Sequence, residues 1–201
     1  MKIPWTKKSI PRISAAIRKG QMVVLPTDTL YGLIGSASNK KAVRRMYVLR
    51  KRDLDKPFII LAASQKDLTI FGIELTDAQK KILKKLWPGP VSVIVPLIPK
   101  KFTYLHRGTK SIAIRVPKKG LLSELLKQTG PLVAPSANTQ GNEPATTITE
   151  AQAYFGSHVP LYADGGKKQG KASTLVRLEA TGVTVLRQGS KKVPSFHFKH
   201  D

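Results

Sequence analysis

Short apolar runs rich in β-branched residues are the feature that most constrains the fold of this chain. The clearest are QMVVLP, PFIILAA, VSVIVPL, SIAIRVP and PLVAP. Runs of this length are typical of buried β-strands, because a helix needs a longer apolar pattern. Segments with helical spacing alternate with them, the first with Ile10, Ile13 and Ile17 on one face and Gly20 at its end. This interleaving predicts an α/β fold, with a twisted, mixed β-sheet and flanking helices.

Polar residues mark where further helices begin. We expect the second helix to start near Ser38 or Asn39, and another to cover about residues 119–129. Two pairs have the spacing of an N-terminal cap: Thr76 with Gln79, and Thr147 with Glu150. Neither an internal repeat nor a low-complexity linker divides the 201 residues, and 41% of them are hydrophobic. Length and composition therefore predict a single globular domain.

The charge balance is strongly positive. The 35 lysines and arginines outnumber the 12 aspartates and glutamates, which gives a formal net charge of +23. Such a charge attracts polyanions, among them nucleic acid, nucleotides and phosphorylated metabolites. The alternative is a lysine-rich surface that is merely solvated. Because basic pairs occur throughout the chain, we expect them to cover a folded body, with residues 191–201 as a basic tail.

The sequence argues against several classes of site and location. It contains no cysteine, which excludes disulfides, thiolate metal sites and a cysteine nucleophile. Its four histidines are scattered, so we expect no metal site built by the protein. The longest apolar stretches are far shorter than a membrane span, and the basic N-terminus lacks the apolar core of a signal peptide. We therefore expect a cytoplasmic protein.

Hydroxyl groups lie beside two predicted strands. The segment PTDTLYGL places Thr27, Asp28 and Thr29 directly after the first strand, at the edge where open α/β sheets bind ligands. The alternative is an ordinary turn capped by Asp28 and Thr29. In ASTLVRLE, Ser173 and Thr174 form a similar pair, which strand propensity alone also explains. Each pattern predicts either a binding site or ordinary local structure.

Arginines at several places suit an anionic ligand. Arg50, Arg52 and Lys56 lie in LRKRDLDKPF after an amphipathic helix, where the helix dipole also favours cations. A planar guanidinium matches the oxygens of a phosphate. Arg115 lies within the strand SIAIRVP, and its burial would require an anionic partner. Since the nearest acidic residues are distant in sequence, a ligand carboxylate is the candidate partner. Arg187 in LRQG is a weaker candidate.

Two further segments are rich in polar groups. GGKKQGKAS is close to a phosphate-binding P-loop, but Ala172 stands where serine or threonine is needed and a strand-like run follows. We expect a flexible basic loop there instead. In VAPSANTQG, an apolar strand ends in Ser136, Asn138 and other hydrogen-bonding groups, with no carboxylate, histidine or cysteine beside them.

The motifs, taken in order, resemble those of one family. They are PTDTLYGL, RKRDLDKPFIIL, WPGPVSVIVP, SIAIRVP, VAPSANTQG, DGG, STLVRL and LRQG, and they cover about residues 10–190. The ordered set resembles the YrdC/TsaC family, the threonylcarbamoyl-AMP synthases of tRNA t6A biosynthesis, in its short, single-domain form. The resemblance implies a YrdC-like domain over residues 1–190, with a concave central cavity.

The resemblance also implies an activity and partners. The family is a set of nucleotidyltransferases that join L-threonine, bicarbonate or CO2, and ATP into threonylcarbamoyl-adenylate, with release of pyrophosphate. Mg2+ would be bound through the ATP phosphates. A separate tRNA threonylcarbamoyl-transferase complex would use the product, and the basic surface would contact tRNA or other RNA. We expect a monomer without membrane contact.

The family's hallmark combines lysine-x-arginine with serine-x-asparagine. Ser136, Asn138 and Arg52 match it, whereas Arg50 replaces the lysine and Asp53 replaces the proline that usually follows. The resemblance implies that the catalytic residues are Arg50, Arg52, Ser136 and Asn138. It implies that threonine is held by Thr27, Arg115 and Ser173, with Arg115 on the carboxylate and Tyr31 in the wall. It implies that ATP is bound by Arg50, Arg52, Lys56, Ser111, Ser136, Asn138 and Arg187.

Two alternatives stay open. The net charge is also consistent with a non-catalytic RNA-binding protein on the same fold. A hydrolase-like branch of the family, which acts on threonylcarbamoyl-modified tRNA, also tolerates arginine at the position of Arg50. That branch typically lacks the asparagine that Asn138 supplies, so Arg50 is its only support.

Overall fold

The chain folds around one mixed β-sheet. The computed structural model describes residues 1–197, and the α/β prediction is confirmed there. The strands are β1 (Lys2–Pro4), β2 (Val23–Pro26), β3 (Tyr31–Ser36), β4 (Ile59–Leu61), β5 (Val91–Pro96), β6 (Ser111–Arg115), β7 (Leu132–Val133), β8 (Leu161–Asp164), β9 (Thr174–Leu178), β10 (Gly182–Arg187) and β11 (Phe196–His197). The five apolar runs that suggested strands became β2, β4, β5, β6 and β7.

The strand order differs from the chain order, and this brings distant motifs together. The order across the sheet is β1-β8-β2-β3-β7-β4-β6-β5-β9-β10-β11. The pairs β1/β8, β2/β8, β4/β6 and β5/β9 are parallel, and the other neighbours are antiparallel. The chain beyond β7 continues along β3, where the Leu33 N–H donates to the Pro135 carbonyl. The segment with Ser136 therefore lies beside PTDTLYGL.

Helices cover both faces of the sheet. They are α1 (Ile10–Arg18), α2 (Lys40–Arg50), α3 (Asp77–Leu86), α4 (Thr103–His106), α5 (Leu121–Thr129) and α6 (Ile148–Phe155). The predicted caps are confirmed: Asn39 begins α2, Thr76 with Gln79 begins α3, and Thr147 begins α6. Within residues 1–197, none of these helices has the length and apolar character needed to cross a bilayer.

Two apolar clusters sandwich the sheet. In one, Ile13 of α1 and Leu125 of α5 pack with Val23 and Leu25 of β2. Val24 points to the other face, where it joins the cluster formed with α2, α3 and α6. This alternation follows from the two-residue period of a strand. Because both faces are covered, β2 is apolar at every position before its proline, which explains why it appears in the sequence as a continuous apolar run.

The segment predicted as a basic tail begins within the fold. Val193 is buried in the larger apolar cluster, and β11 pairs with β10 in an antiparallel arrangement. Residues 198–201 of that predicted tail lie outside the described residues.

The cap of α3 gives a direct test of the fold. Thr76 accepts a hydrogen bond from the Gln79 N–H, and Gln79 accepts one from the Thr76 N–H. We expect Thr76→Ala to lower the free energy of unfolding by about 1 kcal/mol, because the first turn loses this partner. Urea denaturation measures the change. Thr181→Ala, in the loop before β10, is the control. Equal stability of the two variants would contradict the capping role.

Candidate functional site

A pocket of about 300 Å3 lies where α2, β3, β6 and the segment after β7 meet. Its wall contains four arginines and no aspartate or glutamate. The arginines are Arg50, Arg52, Arg115 and Arg187, and the predicted hydroxyl residues in the wall are Thr27, Ser136 and Ser173. The volume is at the small end of the range for ligand sites. The charge of the wall favours an anionic ligand.

Arg50, the last residue of α2, is a buried cation that no carboxylate in residues 1–197 pairs with. It is only 4% exposed. Its Nε donates to the Asn138 carbonyl at 2.9 Å, and its Nη2 donates to Asn138 Oδ1 at 2.9 Å and to Ser136 Oγ at 3.3 Å. Burial, with a smaller effect of Arg52, lowers the pKa of Arg50 to about 10, so it stays charged at neutral pH. These neutral acceptors bind three of its five N–H groups and leave its charge uncompensated.

Ser136 and Asn138 form one hydrogen-bonded unit with Arg50. Ser136 Oγ donates to Asn138 Oδ1 at 2.7 Å. Asn138 Nδ2 donates to the carbonyls of Thr139 and Asn142 at 3.0 and 2.7 Å. Both amide hydrogens of Asn138 are therefore engaged within the loop. In this arrangement Asn138 shapes the loop, and a bond from it to a phosphate would require one of these contacts to be exchanged.

Arg52 lies on the irregular segment that follows α2. Lys51 ends the helix in the left-handed conformation, with φ 48°. The Arg52 guanidinium then lies over the Phe58 ring, 5.3 Å from its centre, and its Nε donates to the Lys56 carbonyl at 3.0 Å. The Arg50 guanidinium lies 5.9 Å from the same ring centre. One aromatic ring thus supports both cations beside the pocket.

Arg115 has a partner within the protein. It is buried at the end of β6, and its Nη2 lies 3.1 Å from Oδ1 of Asp28. Burial lowers the pKa of Arg115, and the charge of Asp28 opposes that shift. Asp28 is far from Arg115 in sequence, so this pairing could not be predicted. The prediction that a ligand carboxylate is the partner of Arg115 is therefore incomplete, because Asp28 already supplies an anion. Its Nε is buried and has no hydrogen-bond partner in the described chain.

The turn after β2 is capped by Thr27, not by Asp28 or Thr29. Thr27 Oγ1 accepts from the N–H groups of Thr29 and Leu30 at 3.1 and 3.2 Å. The side chain of Asp28 is instead directed towards Arg115. The prediction that PTDTLYGL forms a capped turn is therefore confirmed, but the prediction that Asp28 and Thr29 cap it is wrong. The same turn also lines the pocket. The segment is therefore both an ordinary capped turn and part of a candidate binding site.

The basic loop before β9 closes another side of the pocket. A Cβ on Gly170 would lie 2.1 Å from the Thr29 carbonyl oxygen, so the loop packs directly on that turn. The buried Ser173 hydroxyl is 2.8 Å from the Ser92 hydroxyl, and Arg187 Nη2 donates to the Ser173 carbonyl at 3.0 Å. A strand follows the loop rather than a helix, which confirms that it is not a P-loop.

Most of the predicted site residues share this pocket, but three lie outside its wall. Asn138 is behind the wall, and Lys56 forms an ion pair with Asp53 on an exposed loop. Ser111 is at the opposite end of β6 from Arg115, about 13 Å away at the usual rise of a strand. Direct contacts of these three residues with a substrate stay predictions.

Three features of the site were missed from sequence: the support given by Phe58, the pairing of Asp28, and the contacts of Gln140. Phe58 is two residues after Lys56, so the stretch DKPF indicated an aromatic ring close to the cations of this segment. Asp28 is the one carboxylate in PTDTLYGL. The side chain of Gln140 hydrogen-bonds to Asp53, and no local pattern indicated this contact because the two residues are distant in sequence. Among residues 1–197, no histidines, aspartates and glutamates gather as a potential metal site.

Relatives of known sequence share most of this chain. A family model for Sua5, YciO and YrdC proteins, described as telomere recombination, matches residues 15–189. A threonylcarbamoyl-AMP synthase of Yersinia enterocolitica is 32% identical over 160 residues, which cover 78% of this chain and 84% of that protein. The threonylcarbamoyl-AMP synthase of Photobacterium profundum is 32% identical over 185 residues, covering 90% and 99%.

Solved structures share the fold. The structure of Pyrococcus abyssi Sua5 complexed with L-threonine matches with a TM-score of 0.81 and 29% identity, over 94% of this chain and 56% of that chain. This chain thus spans little more than half of that protein. Escherichia coli YciO matches with a TM-score of 0.81 and 24% identity, over 93% and 92%, a likeness that concerns the fold alone. The sequence and structural matches together show that the chain belongs to the Sua5/YciO/YrdC family.

Proposed function

We propose that this protein is a threonylcarbamoyl-AMP synthase. It would join L-threonine, bicarbonate or CO2, and ATP into threonylcarbamoyl-adenylate and pyrophosphate, as a step towards t6A in tRNA. The observation that carries the proposal is the uncompensated, buried charge of Arg50 on a pocket wall with three further arginines and no carboxylate. The names of the sequence relatives and the threonine complex of the P. abyssi protein support the choice of substrates.

The chemistry needs no protein nucleophile. The threonine amine adds to CO2 and loses a proton to solvent or bicarbonate, which gives an N-carboxylate. An oxygen of that group attacks the α-phosphorus of ATP, the bond to the β-phosphate oxygen breaks, and pyrophosphate leaves. The obstacle is repulsion between the anions, about 4 kcal/mol for two unit charges about 4 Å apart at an effective dielectric near 20. Fixed cations and hydrogen-bond donors offset this repulsion and stabilise the transition state.

Arg115 is the proposed partner of the threonine carboxylate. The Arg115 side chain lines the pocket wall, its buried Nε has no hydrogen-bond partner in the described chain, and Asp28 holds the guanidinium in place. Thr27 and Ser173 line the same wall, and because their hydroxyls bond to the Leu30 carbonyl and to Ser92 Oγ, a bond to the amino acid would exchange one of these contacts. Ala134 adds an apolar surface suited to the threonine methyl group.

The phosphates of ATP are assigned to the other cations. Arg50 and Arg52 lie side by side over Phe58, and Arg187 lines the same pocket. Ser136 supplies a neutral hydroxyl there, and Asn138 fixes its orientation. No carboxylate of the described chain lines the pocket, so the protein offers Mg2+ no suitable ligand set. We therefore propose that Mg2+ is held by the phosphates and water.

A pyrophosphate assay tests the proposed reaction. We expect release that depends on both L-threonine and bicarbonate, and a fall of about 100-fold or more in Arg52→Ala and in Asn138→Ala. Arg52→Ala removes a fixed cation, and Asn138→Ala removes the acceptor that orients Arg50 and Ser136. Loss of such preorganised groups destabilises the transition state by that order. Arg177→Ala, on the exposed side of β9, is the charge-matched control and should retain activity. Normal turnover in both site variants would contradict these roles, and no turnover in the wild type would favour the RNA-binding alternative.

Amino-acid selectivity tests the threonine site. We expect calorimetric titration to show that L-threonine binds about tenfold or more tightly than L-serine, because one methyl group in an apolar contact contributes about 1–3 kcal/mol. The titration is run with and without ATP. Equal affinity for the two amino acids, or no heat with either, would contradict the placement of threonine in this pocket.

A further inference from the structure

A reciprocal pair of hydrogen bonds joins the two loops that carry the site. The Asp53 N–H donates to Gln140 Oε1 at 3.1 Å, and Gln140 Nε2 donates to Asp53 Oδ2 at 2.9 Å. The Gln140 N–H also donates to the Arg50 carbonyl at 2.7 Å. Gln140 thus binds the chain on both sides of Arg52. We call the Asp53–Gln140 pair the clasp.

We propose that Asp53 and Gln140 are positioning residues, whose clasp fixes Arg52 beside the pocket and thereby sets the affinity for ATP. This inference rests on the proposed function for its substrate, whereas the clasp itself is a contact between two residues of the protein. Neither residue lines the pocket, so neither is a catalytic residue. The proposed effect reaches ATP only through Arg52.

Arg52 needs such a support because its own segment is irregular. It follows Lys51, which leaves the helix in a left-handed conformation, and the loop beyond it is exposed from Asp53 to Lys56. The direct contacts of the Arg52 side chain are carbonyls and a ring within the same short segment. These contacts shape the segment internally but do not tie it to the Ser136 loop. Gln140 supplies that tie.

The clasp depends on the residue type at position 53. A proline there, as the family resemblance leads one to expect, has no N–H and no carboxylate. It could make neither of the two bonds to the Gln140 side chain. The pyrrolidine ring of a proline would restrict the backbone of the segment directly. In this chain the clasp restricts the same backbone through the neighbouring loop. Asp53 lacks the backbone restriction that a proline would give, and its hydrogen bonds to Gln140 restrict the segment instead.

Charge around the clasp supports its geometry. Asp53 also forms an ion pair with Lys56, and hydrogen bonds from Lys56 and then from Gln140 lower the pKa of Asp53. The charge of Arg52 acts in the same direction. An exposed ion pair alone contributes little to stability. The bonds to Gln140 are what connect this carboxylate to the Ser136 loop.

The first experiment needs no substrate. Carbon-13 NMR titration gives the pKa of the Asp53 carboxyl group in the wild type and in Gln140→Leu, which is similar in size but has no polar atoms. We expect the pKa to be below its ordinary value in the wild type and to rise in the variant, because one donor to the carboxylate is lost. An identical pKa in both proteins would show that the clasp does not form in solution.

The second experiment tests the positioning of Arg52. Gln140→Glu places two carboxylates together, and Gln140→Glu with Asp53→Asn restores a donor–acceptor pair with the original net charge. We expect the single variant to raise the KM for ATP about threefold or more, with the KM for threonine unchanged, and the double variant to recover most of the loss. Gln128→Glu, exposed in α5, is the charge-matched control.

The outcomes distinguish the positioning role of the clasp from the proposed synthase function. An unchanged KM for ATP in Gln140→Glu, equal changes in both KM values, or no recovery in the double variant would overturn the positioning role. A wild type without threonine-dependent turnover, but with the expected shift in the Asp53 pKa, would refute the proposed function while supporting the clasp as a structural link.

Discussion

The hydrogen bonds from Arg50 to the loop after β7 are the interaction on which the site depends. They join the end of α2 to Ser136 and Asn138, two elements far apart in the chain. A buried guanidinium whose hydrogen bonds go to neutral acceptors keeps its charge, and that charge lies on the pocket wall. The same contacts thus shape the loop and make the pocket attractive to an anion. A lysine at this position would have the charge but not the planar fork.

The mixed sheet makes this contact possible. Strand β7 lies between β3 and β4, so the Ser136 loop emerges beside the Thr27 turn and close to the segment after α2. Strand β6 pairs in parallel with β4 and brings Arg115 to the same region. Because both faces of the sheet are packed, these strand ends are held rigidly. A site that works by positioning anions requires such a scaffold.

Much of this arrangement could be predicted from the sequence. The apolar runs indicated the strands, and residue types at Asn39, Thr76 and Thr147 indicated where helices begin. Ordered motifs indicated the family and most of the residues that share the pocket. In these cases the information is local, because a strand pattern or a cap is decided within a few residues.

The parts that could not be predicted are long-range pairings. Asp28 and Arg115 are far apart in sequence, and only the sheet order brings the carboxylate to the guanidinium. The same holds for Asp53 and Gln140, whose side chains meet only after both loops have been placed. Local rules also could not distinguish Thr27 from Asp28 as the cap, since either side chain suits that turn. In the structure Asp28 pairs with the distant Arg115, and Thr27 caps the turn.

Amide hydrogen exchange in Arg50→Lys tests the central role of the guanidinium most directly. The substitution retains the positive charge but removes the fork that binds Asn138 and Ser136. Charge-assisted hydrogen bonds of this kind contribute about 1.5–3 kcal/mol each. We therefore expect the amides of residues 138–142 to exchange about tenfold or more faster in the ligand-free variant, while those of the central strands stay protected. Unchanged exchange in the loop would show that charge alone, and not the geometry of Arg50, is what this site requires.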